Sequence, residues 1–258
     1  MTFHRYVAIG DSTSEGLDDP DGRGGYRGWA DRLAERIAAS QEEPLLYANL
    51  AIRGRTTRRI REEQLGPALA MRPDVATING GTNDFLRPHF DARAVVAEHE
   101  AMQRALIACG AVVLTFNFPD MRRVMPLARF FIDRIFALNE ELRAACARTG
   151  ARLLDLAAYE VAGDPRFWSD DRLHANSVGH ERIASALAAL LGLPSDPTWS
   201  SSLPPPPPPG VLGMVRAEWA WTRRHLAPWL WRHAQGKSSG DGRSAKRAEL
   251  AVVGPWTR

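Results

Sequence analysis

Apolar residues run along the first 192 positions in two alternating rhythms. Tyr6–Ile9, Leu45–Leu50, Val75–Ile78, Ala111–Phe116 and Arg152–Leu156 are short apolar runs bounded by turn-forming residues, and they are predicted strands. Between them, Trp29–Ala39, Thr56–Met71, Ala92–Cys109, Phe130–Thr149 and Ser177–Leu191 place apolar residues at the spacing of one helix face. Gly66-Pro67 predicts a break in the second helix, while Gly110, Gly150 and Gly192 predict C-terminal stops. Strands alternating with helices predict an α/β chain whose parallel sheet of about five strands is covered on both faces. In such folds ligands bind beyond the carboxyl ends of the strands.

The rhythm changes near residue 200. Pro204–Pro209 is an unbroken proline run, expected to form a stiff polyproline II spacer. The chain therefore divides into a domain at 1–200, a proline-rich linker at 201–210 and a tail at 211–258. In the tail, Leu212, Val215, Trp219, Leu226 and Leu230 fall on one side, with Trp229 alongside and Arg216 and Arg223 elsewhere. This is a basic amphipathic helix interrupted at Pro228. Such a helix folds back on its own domain, docks to a partner or lies on a membrane. Gln235–Lys246 is rich in small and polar residues and is expected to be mobile.

Charge sharpens that division. Residues 201–258 hold nine Arg or Lys against three Asp or Glu, which leaves 24 basic and 27 acidic residues in 1–200. The body is mildly acidic, so the overall charge of +3 does not mark a nucleic-acid-binding domain. With 45% hydrophobic residues, the body has enough apolar material for a sizeable core. Cys109 and Cys146 have no close partners, and two buried free thiols are expected. No cluster has the spacing of a structural zinc site, and His4, His89, His99 and His180 are expected at surface or helix positions without a metal. Met1–Arg5 leads straight into the first strand with no signal-peptide pattern, and no apolar stretch reaches the roughly 20 residues of a spanning helix. The expected compartment is the cytoplasm, with 211–234 available for peripheral membrane contact.

Four segments could carry chemistry. Ser12 follows the first strand in Gly10-Asp11-Ser12, at a strand-to-helix turn where backbone N–H groups point outward; a serine there is either an exposed nucleophile or a helix cap. Asn49–Thr56 follows the second strand and contains Gly54, either an unobstructed N–H donor or a loop glycine before a cap. Gly80-Gly81-Thr82-Asn83-Asp84 follows the third, and an Asn amide is a good side-chain donor to an oxyanion. Asp171-Arg172-Leu173-His174 lies just before the last helix, where an Asp three residues before a His can return to orient the imidazole. Arg53, Arg55, Arg58 and Arg59 beside Gly54 read best as a solvated helix face. Phe85, Phe118, Met125, Phe130 and Phe131 could line an acyl pocket or simply pack.

Taken together and in this order, the four segments resemble the blocks of the SGNH hydrolase family, also called GDSL-type esterases. The likeness covers about residues 5–192. It departs from the family pattern at Thr13, where an apolar residue is common. The resemblance implies a three-layer α/β/α sandwich of the flavodoxin-like kind. It implies Ser12 as nucleophile, His174 as base and Asp171 as its orienter. It also implies an oxyanion hole built from the Ser12 and Gly54 N–H groups and the Asn83 amide. Asp11 is expected to be structural and to face away, and Asp170 is a substitute orienter one residue out of step. No metal or cofactor is required.

The reaction so implied is cleavage of carboxylic esters of small or lipid-like acids through an acyl-enzyme. An acyltransferase on the same scaffold, a non-catalytic binding module and a membrane-associated adaptor built on the tail are the alternatives. Loops 17–27 and 117–130 are expected to shape the substrate pocket.

Overall fold

The computed structural model describes residues 2–204, 211–228, 231 and 238–254. Its centre is a six-stranded sheet in the order β5-β4-β3-β1-β2-β6. β1 (Arg5–Gly10), β2 (Leu46–Asn49), β3 (Val75–Asn79), β4 (Val112–Phe116) and β5 (Arg152–Leu154) run parallel. Alternate side chains of β1 feed two separate cores, which is why Tyr6–Ile9 reads as continuously apolar. Tyr6 and Ala8 meet Trp29, Leu33 and Ile37 of α2 (Gly28–Ala39) and Leu187 of α8 (Ser177–Leu190). Val7 and Ile9 meet Met102 and Leu106 of α6 (Ala92–Ala108) and Leu138 and Leu142 of α7 (Ile132–Thr149). The result is an α/β/α sandwich. The chain order reverses between β1 and β3, so loops leaving these two strands diverge and open a crevice at their carboxyl ends.

The second predicted helix keeps going where a break was expected. It runs as α3 (Thr57–Ile60), a π-helical turn (Arg61–Leu65) and α4 (Gly66–Ala70). The wide turn lets Pro67 sit in the first turn of a new helical register, where its missing N–H costs no bond. The π turn also aims Gln64 inward. Its Oε1 accepts from Gly10 N at 2.8 Å and its Nε2 donates to Gly10 O at 2.9 Å. Gly10 has no room for a side chain, because a Cβ would come within 2.3 Å of Ser14 Oγ and 2.5 Å of Asn79 O. The end of β1 is thereby clamped one residue before Asp11-Ser12.

The tail supplies an element that its sequence does not announce. β6 (Arg247–Val252) pairs antiparallel with β2, with Tyr47 opposite Ala251, and covers what would be an exposed edge. The five expected parallel strands are all present, and the tail adds a sixth, antiparallel one, so it is more than a helix and a mobile end. Arg-Ala-Glu-Leu-Ala-Val has no clean alternation. What holds the strand is the neighbouring edge, the Arg247 guanidinium over the Tyr47 ring and the Lys246 to Asp31 ion pair at 2.7 Å. The expected helix is present as α9 (Val211–Trp221) and a π-helical turn (Thr222–Leu226). Pro205–Pro209 of the proline run and Trp229 and Leu230 of the apolar stripe lie outside the described residues, as do the side chains of Leu212 and Val215.

Both cysteines are free, and Cys146 is buried as expected, but Cys109 is exposed at the C-cap of α6. Among the described residues no helix is long and apolar enough to cross a membrane.

Removing the Gln64 clamp tests its share in stability. Gln64→Leu strands the buried Gly10 N–H and is expected to cost roughly 1–3 kcal/mol of unfolding free energy. The urea midpoint should drop accordingly, while Arg58→Ala, at an exposed ion pair, leaves it in place. Equal midpoints for the two variants would show that the clamp contributes nothing.

Candidate active site

Ser12 opens α1 (Ser12–Glu15), a single turn directly after β1. Asp11 is the N-cap, its Oδ1 accepting from Thr13 N at 3.0 Å. Asn49 at the end of β2 donates to Ser14 O at 2.8 Å. Glu15 accepts the backbone N–H of Arg53 at 2.8 Å and pairs with its guanidinium. These bonds tie the Ser12 turn to the loop carrying Gly54. Arg53 is therefore not on a solvated face as expected; it is half-buried between Glu15 and the Tyr26 ring. Arg58 and Arg59 are exposed, as the sequence suggested.

His174 arrives from the far end of the chain. Its Nε2 lies 2.8 Å from Ser12 Oγ and its Nδ1 2.6 Å from Asp171 Oδ2. The four-residue segment closes on itself, because Asp171 Oδ1 also accepts the backbone N–H groups of Leu173 and His174 at 2.8 and 2.9 Å. The loop is pinned by Ser169 N to His174 O at 2.9 Å and by a bridge between Trp168 and Ala175. Asp170 points elsewhere in this arrangement, being exposed and outside the hydrogen-bonded line.

Asn83 lies in α5 (Thr82–Phe85), just beyond β3. Its Nδ2 donates to Arg55 O at 3.0 Å and, more weakly, to Asp11 Oδ2 at 3.3 Å. This sets Asn83 beside the Gly54–Arg55 turn and brings Asp11 into the site rather than away from it. Asp84 fastens the same segment to α3, its Oδ2 accepting from Thr57 N and Thr57 Oγ1, both at 2.9 Å. His99 and His180 are fully buried, each holding a loop of the site. His99 Nε2 is 3.0 Å from Gly80 O, and His180 bridges Trp29 N and Leu17 O. Burial pushes both imidazoles down to about 4, so they stay neutral.

Asp18 is the residue that motif reasoning missed. Its Oδ2 is 3.8 Å from His174 Nδ1, and the Ser169 hydroxyl sits between it and Asp171 at 2.6 and 2.7 Å. Nothing in the local sequence signals this, since the chain must fold before Asp18 meets a loop 150 residues away. Asp18, Asp171 and His174 are also the one group among the described residues whose ligand atoms converge closely enough for a cation. The short contact between Asp171 Oδ2 and His174 Nδ1 leaves no room for an ion between those two atoms.

Opposing effects act on the imidazole. Burial disfavours its charged form, yet the hydrogen bond and charge of Asp171, reinforced by Asp18 and Asp11, raise His174 above its ordinary value. Burial likewise pushes Asp171 up, but His174 more than reverses this and holds it well below the usual carboxylate range. Asp11 is pushed up to about 6 by burial. A serine hydroxyl bonded to an imidazole that a carboxylate orients can be deprotonated as it attacks an electrophilic carbon. Beside it, Thr82, Phe85, Phe118, Met121, Met125, Phe131, Trp168 and Leu173 line an apolar pocket between the chain neighbours of Asn83 and His174. Phe130, grouped with these by sequence, is 65% exposed and takes no part.

Solved structures share this architecture. A lipase/acylhydrolase from Enterococcus faecalis aligns with a TM-score of 0.60 at 22% identity, covering 75% of this chain and 98% of its own. A psychrotrophic esterase from Pseudoalteromonas sp. gives 0.55 at 19%, covering 73% and 97%. An acetylxylan esterase from Geobacillus stearothermophilus gives 0.60 at 17%, covering 78% and 98%. At these identities the likeness is one of fold. No curated protein matches the sequence. The GDSL-like Lipase/Acylhydrolase family does match, over residues 8–182, and the chain belongs to that family.

Proposed function

We propose that the chain is a serine hydrolase that cleaves carboxylic esters through an acyl-enzyme formed on Ser12. Membership of a lipase and acylhydrolase family makes ester hydrolysis the general expectation. What carries the finer reading is the continuous hydrogen-bonded line from Ser12 Oγ through His174 to Asp171. With Asp171 ionised, the imidazole keeps its proton on Nδ1 and offers the Nε2 lone pair to the serine. Ser12 Oγ attacks the ester carbonyl while Nε2 takes its proton, and Asp171 stabilises the imidazolium. His174 then delivers that proton to the departing alkoxide. Water repeats the sequence on the acyl-enzyme and releases the acid.

The oxyanion falls to the backbone N–H groups of Ser12 and Gly54 and to the Asn83 amide. Asn83 gives up its weaker 3.3 Å bond to Asp11 to turn one hydrogen toward the substrate. The acyl group enters the pocket lined by Phe85, Phe118, Met121 and Met125, which suits a small or lipid-like apolar acid. Trp219 and Trp231 stand 71% and 69% exposed on the tail, with Arg216, Arg223 and Arg224 exposed nearby. The described residues 216–228 and 231 thus present aromatic and basic groups to a lipid surface from which such esters come.

A p-nitrophenyl ester series tests the chemistry. Ser12→Ala is expected to lower kcat/KM by about 10⁴-fold or more, and Asn83→Ala to lower kcat by about 10²–10³-fold. Turnover by the Ser12→Ala protein equal to that of the native chain would sink the reading.

The pH profile tests the imidazole. Because His174 is raised, it is protonated, and useless as a base, up to a pH above the ordinary value of about 6.5. The rate constant kcat/KM should therefore rise with pH through that point. Asp171→Asn should shift this limb to lower pH while reducing the rate by about 10⁴-fold. A profile flat from pH 5 to 8 contradicts the assignment.

Cosedimentation with vesicles rich in phosphatidylserine tests the tail. Binding is expected at low ionic strength and should weaken in Trp219→Ala/Trp231→Ala. Indifference to that double change would leave the tail without a membrane role.

A further inference from the structure

The family match ends at residue 182, yet the tail touches the candidate site from two sides. On one side α9 meets the loop between Asp171 and His174. Trp221, only 8% exposed while its neighbour Trp219 faces water, donates its indole N–H to the carbonyl oxygen of Asp171 at 3.1 Å. The Arg172 guanidinium lies 4.9 Å from the Trp221 ring centre and pairs with Glu218 at 2.7 Å. Arg172 is held at a φ of 61°, a left-handed conformation that a non-glycine residue adopts only under constraint. The tail therefore grips the backbone of Asp171 and the side chain of the residue that follows it.

On the other side a turn at Ser238–Gly240 sits on the loop carrying Gly54. Ser238 Oγ donates to Gly54 O at 3.3 Å and Arg55 Nη1 to Gly240 O at 3.4 Å. The approach admits only glycine, since a Cβ on Gly240 would fall 2.0 Å from Arg53 O. Beyond it, Lys246 binds Asp31 and the carbonyls of Tyr26 and Arg27, and β6 joins the sheet. That end of the tail is anchored independently of α9.

We propose that the C-terminal extension is a working part of the active site, with Trp221 and Glu218 as positioning residues for Asp171 and Gly240 as the positioning residue for the Gly54 donor. This rests on the hydrolase reading above. Small displacements of an orienting carboxylate or of an oxyanion donor lower the rate of the chemical step far more than they loosen substrate binding. The two contacts also differ in what they control. Trp221 acts through Asp171 on His174, an imidazole otherwise faced by Asp18, Asp11 and His180. Gly240 acts on a backbone donor and leaves that imidazole alone.

The test uses the full-length chain with Trp221→Phe, Glu218→Gln and Gly240→Ala, and Ser12→Ala alongside. Trp221→Phe keeps an aromatic ring at the position facing Arg172 and removes the N–H donor together with part of the indole. It is expected to lower kcat by roughly three- to tenfold with KM within about twofold, and to shift the acid limb of kcat/KM to lower pH. Glu218→Gln should move both in the same direction by less. Gly240→Ala should lower kcat comparably without shifting the limb. The NMR titration of His174 reads the same displacement without turnover. If the native chain shows no Ser12-dependent hydrolysis, the hydrolase reading fails, and a lowered His174 titration in Trp221→Phe still upholds the positioning role. Native kcat, native acid limb and native His174 titration in Trp221→Phe and Glu218→Gln would overturn the inference.

Discussion

A buried imidazole resists taking a proton unless negative charge waits beside it. His174 is buried, and the rest of the site is arranged around that constraint. Asp171 meets the demand in the shortest way available, from three residues upstream, with its other oxygen occupied by the backbone of the same loop. Asp18 and Asp11 add charge from the loop and turn that follow β1. The same imidazole holds Asp171 ionised, so each group keeps its partner in the state that the line from Ser12 requires.

Holding four loops in register requires more than one such bond. Gln64 takes both backbone groups of Gly10, Glu15 takes the N–H of Arg53, Asp84 takes that of Thr57, and Asn83 reaches Arg55 O. All are bonds from side chains to the backbone of a different segment. They are made at the carboxyl ends of β1, β2 and β3, where the sheet leaves donors and acceptors without strand partners. The neutral histidines His99 and His180 serve the same end in the layers behind. The precision of the site thus comes from polar side chains in second rank, while the two apolar cores hold the sheet beneath it.

The tail extends this logic beyond the family domain. β6 closes one edge of the sheet, Lys246 fastens the strand to the start of α2, and α9 lies against the Asp171 loop. One tryptophan of α9 faces inward and another faces water. A basic, aromatic surface and the Asp171 carboxylate are therefore separated by a single helix.

The periodicity of the body determined the alternation of strands and helices, because burial on both faces leaves continuous apolar runs and burial on one leaves a stripe. Ser12, Gly54, Asn83, Asp171 and His174 were legible because their glycines, turn residues and spacings follow strand ends or precede a helix. Asp171 to His174 is a local contact, so three residues of spacing sufficed to foresee it. Gln64 looked like an ordinary helix residue beside a Gly-Pro break, and only the π turn aims it at Gly10. Asp18 and Trp221 act across 150 and 50 residues of sequence, and β6 owes its existence to a free edge on β2. Such contacts leave no periodic trace, since their partners are set by how the layers stack and not by neighbours along the chain. Local pattern decided the elements and the order of the site; tertiary packing decided which charges face His174 and what closes the sheet.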